Sequence, residues 1–205
     1  PSALIAIVFI VGGLAIIPAY FLEKGVLEIR LLSLDENRWL VITLWALIEE
    51  SLKFFVVYLV AFRQRWFDEP VDAMVYMITG ALGFAAAENS LFLLNELIKP
   101  DHLVTTFLLV GNLRFIGATV VHLVSSSLVG GFIGLAFYAG RQRRAGYLAA
   151  GLFTATLLHT LFNYFIITFE NQGQWLLKIF VLLWATAIFV IFFFEKVKTN
   201  VFRFK

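Results

Sequence analysis

Six predominantly apolar stretches follow one another through this 205-residue chain: Pro1 to Leu22, Arg38 to Phe62, Val71 to Leu94, Leu113 to Gly140, Tyr147 to Phe169 and Trp175 to Phe194. About 20 apolar residues in a helix cross a bilayer's hydrocarbon core, where only helices and closed barrels satisfy their own backbone groups. The expected fold is therefore all-α: a polytopic membrane bundle of about six transmembrane helices, with the lipid bilayer as its surroundings. Composition agrees, with 61% hydrophobic and 15% charged residues, a mean hydropathy of +0.89, and 23 Phe and 5 Trp. That leaves too little polar surface to cover a water-soluble core and rules out disorder. The net charge is +2, and the basic residues gather at the ends of the apolar stretches. No stripe tracks phosphates, which excludes nucleic acid as a partner. There is no cysteine, so any catalysis must use oxygen and nitrogen groups.

The connections are short and no internal repeat stands out, so one domain over residues 1–205 without a soluble appendage is expected, its motif-bearing core at about 38–169. The first stretch has neither a basic flank before it nor an A-x-A-like site after it, and reads as a helix rather than a signal peptide. A shorter apolar piece, His102 to Val110, is too brief to span and reads as interfacial or re-entrant; if it spans, the topology downstream inverts. With six spans, Arg63, Arg65, Arg141, Arg143, Arg144, Lys196, Lys198, Arg203 and Lys205 share one side, against Lys24, Arg30, Arg38, Lys99, Arg114 and Lys178 on the other. The clusters put both termini in the cytoplasm. Gly130 with Gly134, and Gly151 with Ala155, give small residues at the four-residue spacing that lets helices approach closely.

Ionisable residues inside the spans are what packing alone does not explain. The second span carries Glu49, Glu50 and Lys53 near its middle, the third Glu88, the fourth His122 followed by Ser125 and Ser126, and the fifth His159 with Asn163 one turn on. A charged group near the bilayer centre costs roughly 2.5–3.5 kcal/mol on insertion scales. Glu49 and Lys53 can recover some of this as an i, i+4 pair. Counted from the outer ends of their spans, Glu49, Glu88, His122 and His159 all fall roughly 9–17 Å deep at 1.5 Å per residue. Four helices placing such groups in one layer point to a single convergent site. Other polar residues read more plainly: Asp72 as a cap for the third helix, Arg114 as a headgroup-seeking side chain or a partner for Glu88 or Glu50, and His102 as interfacial.

Three motifs now stand in order on three spans: Glu49-Glu50-x-x-Lys53, Phe84-x-x-x-Glu88-Asn89 and His159-x-x-x-Asn163. Together they resemble the PrsW-type intramembrane proteases, as do Asp68 to Asn89 and the Arg114 to His122 region, over about residues 40–165. The resemblance extends to CAAX prenyl endoproteases and bacteriocin self-immunity proteins, whose pattern usually has Arg near the Lys53 position and His near the Glu88 position. Those departures favour PrsW. It implies a bacterial or archaeal plasma-membrane protease whose substrate is a single-pass membrane protein such as an anti-sigma factor, first cut on the extracytoplasmic side.

Hydrolysing an amide inside a membrane needs a base for water, donors for the developing oxyanion and a polar cavity. Glu49 or Glu50 can be that base, with Glu88 or an imidazole holding the same water and Lys53 balancing charge. His159 and Asn163 form a donor pair, to which the related prenyl endoproteases lend an oxyanion role. This route needs no cofactor. A second route places a metal, Zn2+, on Glu88, His122 and His159 with an open position for water. Asn89 and Arg114 stand as supporting residues. The rival functions are a non-catalytic scaffold or immunity protein and, with neither inverted repeats nor broken helices in its favour, an ion or proton transporter.

Overall fold

Pro18 shapes the first apolar stretch. It offers no N–H to the carbonyl of Leu14 and its ring crowds that carbonyl. In the computed structural model, which describes residues 2–29, 36–98, 104–169 and 173–199, the stretch divides there into α1 (Ser2–Leu14) and α2 (Ile16–Glu28). The Ala15 N–H is shared between the carbonyls of Val11 and Gly12 at the junction. The chain continues as α3 (Arg38–Val60), α4 (Pro70–Leu97), α5 (Val104–Leu135), α6 (Arg141–Phe169) and α7 (Gly173–Thr199). No strand occurs among the described residues.

Glycines set how closely these helices pack. A Cβ on Gly83 of α4 would lie 1.9 Å from the carbonyl oxygen of Phe9, and one on Gly12 of α1 would lie 2.2 Å from that of Gly80. The α1–α4 crossing therefore needs backbone against backbone. Gly130 and Gly134 do the same for α5, whose missing Cβ atoms would meet the carbonyls of Ala73 and Pro70 on α4 at 2.6 and 2.5 Å. An apolar layer of Val8, Val57, Met77, Val129 and Ala155 ties α1, α3, α4, α5 and α6 together, and Met74, Val124, Val190 and Val197 hold α7. Ile188, Phe189, Ile191 and Phe192 of α7 face outward and are well exposed, as a lipid-facing surface requires.

Among the described residues five helical stretches are long and apolar enough to cross a membrane: Ser2–Glu28, Pro70–Asn95, Phe115–Leu135, Arg141–Thr168 and Phe180–Thr199. The expected sixth, α3, has 23 residues, about 34 Å of helix. Every 18-residue window of it contains Glu49, Glu50 and Lys53, which keeps it out of that set.

The structure corrects one expectation. Residues Val104 to Val110 do not form a separate interfacial or re-entrant piece; they are the first turns of the 32-residue helix α5. With no proline to interrupt them, Gly111 and Asn112 are carried within the helix. His102 lies outside the described residues. Asp72 serves the start of α4, accepting hydrogen bonds from the backbone N–H groups of Asp68 and Glu69 at 3.1 and 2.9 Å, just before Pro70 opens the helix.

Candidate active site

Glu49 and Glu50 are adjacent on α3 but meet different surroundings. Glu50 is fully buried, and its Oε1 accepts hydrogen bonds from Lys53 Nζ at 2.7 Å, Ser125 Oγ at 2.9 Å and His159 Nδ1 at 3.0 Å. Its Oε2 accepts one from Ser126 Oγ at 3.1 Å. Ser125 and Ser126 reach it because they lie one turn beyond His122 on α5. Three of the four donors converge on Oε1, which makes Glu50 the hydrogen-bonding hub of the cluster.

Glu49 is the opposite case. Its Oε2 is buried and has no hydrogen-bond partner, lying 3.5 Å from Lys53 Nζ, 3.6 Å from His122 Nδ1 and 3.8 Å from His159 Nε2. Leaving a buried carboxylate oxygen without a hydrogen bond is expensive, and in native proteins it commonly marks a role in binding or catalysis.

The imidazoles are oriented from behind by carboxylates. His122 Nε2 lies 2.6 Å from Glu88 Oε2, and its Nδ1 lies 2.8 Å from Lys53 Nζ. An ammonium can only donate and a carboxylate only accept, so His122 carries its proton on Nε2. By the same reasoning His159 donates from Nδ1 to Glu50, leaving the Nε2 lone pair facing Glu49. The two rings meet edge to face, 4.9 Å apart and 89° between planes. Lys53 sits 4.6 Å above the Phe84 ring with none of its surface exposed.

Glu49, Glu88, His122 and His159 line a cavity of about 190 Å3 together with Glu23, Trp45, Val121, Phe162 and Asn163. Hydrogen bonds and ion pairs bring Glu49, Glu50, Lys53, Glu88, His122 and His159 into one cluster, but Glu50 and Lys53 do not line the cavity, whereas Asn163 does. Asn89 does not: its Nδ2 donates to Thr119 Oγ1 at 3.1 Å, tying α4 to α5. The side chain of Arg114 lies outside the described residues. Glu23 was not anticipated, since it follows the first apolar stretch and resembles an ordinary interfacial charge. The only hint was position, one acid at the same outer end as the others.

For a metal the geometry favours a different triad from the one expected. Glu49, His122 and His159 each offer a donor atom, all within 4.8 Å of one another and all buried. Ligands about 2 Å from a tetrahedral zinc lie about 3.3 Å apart, so the donors would draw together by up to about 1.5 Å. Glu88, expected as a ligand, stands behind His122 and Glu50 behind His159, the carboxylate–histidine arrangement that orients metal ligands. The orphaned Glu49 oxygen and this donor set fit a divalent ion. Lys53 holds His122 Nδ1 in its absence and would have to yield that contact.

The description "PrsW family intramembrane metalloprotease" matches residues 1–194. A protease PrsW of Geobacillus kaustophilus is 31% identical over 143 residues, 70% of this chain and 59% of that protein. That of Bacillus subtilis is 26% identical over 137 residues, covering 67% and 58%, and that of Oceanobacillus iheyensis 28% over 190 residues, covering 92% and 82%. The chain thus matches just under three fifths of the length of the first two relatives. No solved structure matches it. With a family match across nearly all of its length and several membrane-length helices around one buried polar cluster, the chain is a multi-pass membrane protein and belongs to the PrsW family of intramembrane metalloproteases.

Proposed function

We propose that this chain is an intramembrane endopeptidase that hydrolyses a peptide bond in or next to the transmembrane segment of a single-pass membrane protein, on the extracytoplasmic side. Bacterial anti-sigma factors are the candidate substrate class. The observation that carries the reading is the buried Glu49 Oε2, which makes no hydrogen bond and lies on the cavity wall within 3.8 Å of two oriented imidazoles. In this reading α3 crosses the membrane as the sixth span, its charges turned inward, and both termini lie in the cytoplasm with the basic clusters.

Glu49, His122 and His159 would hold a divalent ion such as Zn2+, which when bound supplies a Lewis acid for the scissile carbonyl and lowers the pKa of water. Glu88, its Oε2 2.6 Å from His122 Nε2, would fix that imidazole with Nδ1 turned toward Glu49. Glu50 holds His159 in one tautomer and does not react. Asn163 on the cavity wall offers its amide N–H to the developing oxyanion.

One observation favours a metal-free variant: Lys53 already satisfies His122 Nδ1. Glu49 would then be the base itself and His159 Nε2 a second polar group at the carbonyl. Purified protein in nanodiscs, given a single-pass peptide with and without a chelator, separates the two. Loss of cleavage on chelation, restored by Zn2+, supports the metal route, and cleavage indifferent to chelator supports Glu49 as base. No cleavage under any condition, metal-supplemented included, contradicts the proteolytic reading.

A further inference from the structure

A second cavity lies at the basic end of the bundle, where α3, α5 and α6 meet. It holds about 460 Å3, within the range of small-molecule pockets. Its wall at Tyr58 is nine residues beyond Glu49 on α3, about 13 Å at 1.5 Å per residue. The two cavities share no lining residue among those described.

Aromatic rings make much of the wall. Phe54 and Tyr58 come from α3, and Phe62, Phe67 and Phe137 from the connections that follow α3 and α5. Phe62 stacks on Phe67 with centroids 4.5 Å apart, and Phe67 meets Phe137 edge to face at 5.2 Å, so the rings fix one another. Tyr58 and Ala145, also lining it, are exposed, which opens the groove on the outside of the bundle.

One lining residue is charged. Arg144 of α6 donates from its guanidinium to the Phe137 backbone carbonyl, which anchors it across the α5–α6 turn and leaves most of its N–H donors. Among the described residues no carboxylate pairs with it, nor with Arg141 or Arg143. Arg141, three residues earlier, shares the helix face of Arg144, Ala145 and Leu148. Depth agrees with this charge. Trp66, Tyr138 and Tyr147 are exposed around the same end, as aromatic residues at headgroup level are, and Arg65 lies over the Trp66 ring at 4.6 Å.

An apolar groove open to the bilayer, ending in a guanidinium without a carboxylate partner, complements an amphiphile with an acyl chain and a negative headgroup. Arginine grips phosphate through paired N–H donors, and basic pockets between transmembrane helices take anionic headgroups. We propose that this groove binds one anionic phospholipid, its acyl chain along Phe54, Phe62 and Phe137 and its phosphate on Arg144, with Arg141 at the mouth.

The test uses the full chain in mild detergent, titrated with phosphatidylglycerol or phosphatidylcholine of identical acyl chains and read by native mass spectrometry. Native protein should retain one phosphatidylglycerol about fivefold more tightly than phosphatidylcholine, the effect of one basic residue at an anionic surface. Arg144→Gln should bring that ratio to about one. Arg143→Gln, about 100° round the helix from Arg144, should keep it. Ala145→Trp, which fills the groove and spares every arginine, should lose both lipids. Equal retention of the two lipids by native protein, equal losses in Arg143→Gln and Arg144→Gln, or undiminished retention by Ala145→Trp overturns the site. Glycerol 1-phosphate binding as tightly as phosphatidylglycerol does so too, because the groove would then contribute nothing. If Arg144→Gln does not fold, the Ala145→Trp arm decides alone.

Discussion

Glu49 and Glu50 are neighbours in the chain with different prospects on mutation. Replacing Glu50 by Gln puts an NH2 group among the four donors of Lys53, Ser125, Ser126 and His159. Breaking a buried pair in this way costs about 3 kcal/mol or more, so Glu50→Gln should lower the thermal midpoint in detergent as well as activity. Glu49→Gln removes no hydrogen bond from Oε2 and only the longer, 3.5 Å ion pair with Lys53; it should lower the midpoint less than Glu50→Gln and abolish hydrolysis. Asn163→Ala should lower kcat by about a hundredfold with little change in KM, the pattern of a donor that acts only on the transition state. Steady-state kinetics on one peptide substrate checks it. Much of this site was legible in the sequence, because Glu, Lys and His inside apolar stretches are costly enough to stand out. Which of two adjacent glutamates is saturated was not, since that depends on serines 75 and 76 positions away. Glu23 escaped for a different reason: a charge just past an apolar stretch is what any membrane helix shows.

The helices carry the site through close packing. Phe84, beside Gly83, lies under Lys53, so a shift of α1 against α4 is felt at the cluster. Gly83→Ala forces the backbones apart, because its Cβ has only 1.9 Å to the Phe9 carbonyl oxygen. Overpacking of this kind costs about 1–3 kcal/mol, and a corresponding drop in thermal midpoint is expected. Gly25→Ala, with nothing within 4 Å of the added carbon, should leave the midpoint unchanged or raise it slightly. Apolar length revealed most of these elements. The division of the first stretch was written in Pro18 but hidden by its unbroken hydropathy. The continuity of α5 was obscured by Gly111 and Asn112, which interrupt an apolar run without interrupting a helix. The four-residue glycine spacing on α5 did announce its packing, although it could not name Ala73 and Pro70 as the surfaces met.

Taken as a whole, the bundle has a polar end and a basic end. Trp45, Glu49, Glu88, His122 and His159 lie toward one, and Arg63, Arg65, Arg141, Arg143 and Arg144 sit at helix starts and ends on the other. With the basic end in the cytoplasm, single cysteines at Asn37 and Gln142 should behave oppositely in this otherwise cysteine-free chain. Asn37→Cys should react with an impermeant maleimide added outside intact cells, and Gln142→Cys only after lysis. The reverse labelling would turn the site to the cytoplasm. A scaffold of the same shape has no need of an unsatisfied glutamate oxygen in a walled cavity, and a transporter would need a path from it to both surfaces.

Mass spectrometry of the products from a reconstituted single-pass substrate, incubated with native protein and with Glu49→Gln, reaches the centre of this account in one experiment. The expected result is a single cut at the extracytoplasmic juxtamembrane edge of the substrate helix, where frayed backbone exposes its carbonyls, made by the native protein and absent with Glu49→Gln. A cut that persists in a folded Glu49→Gln protein, or one on the cytoplasmic side of the span, would contradict it.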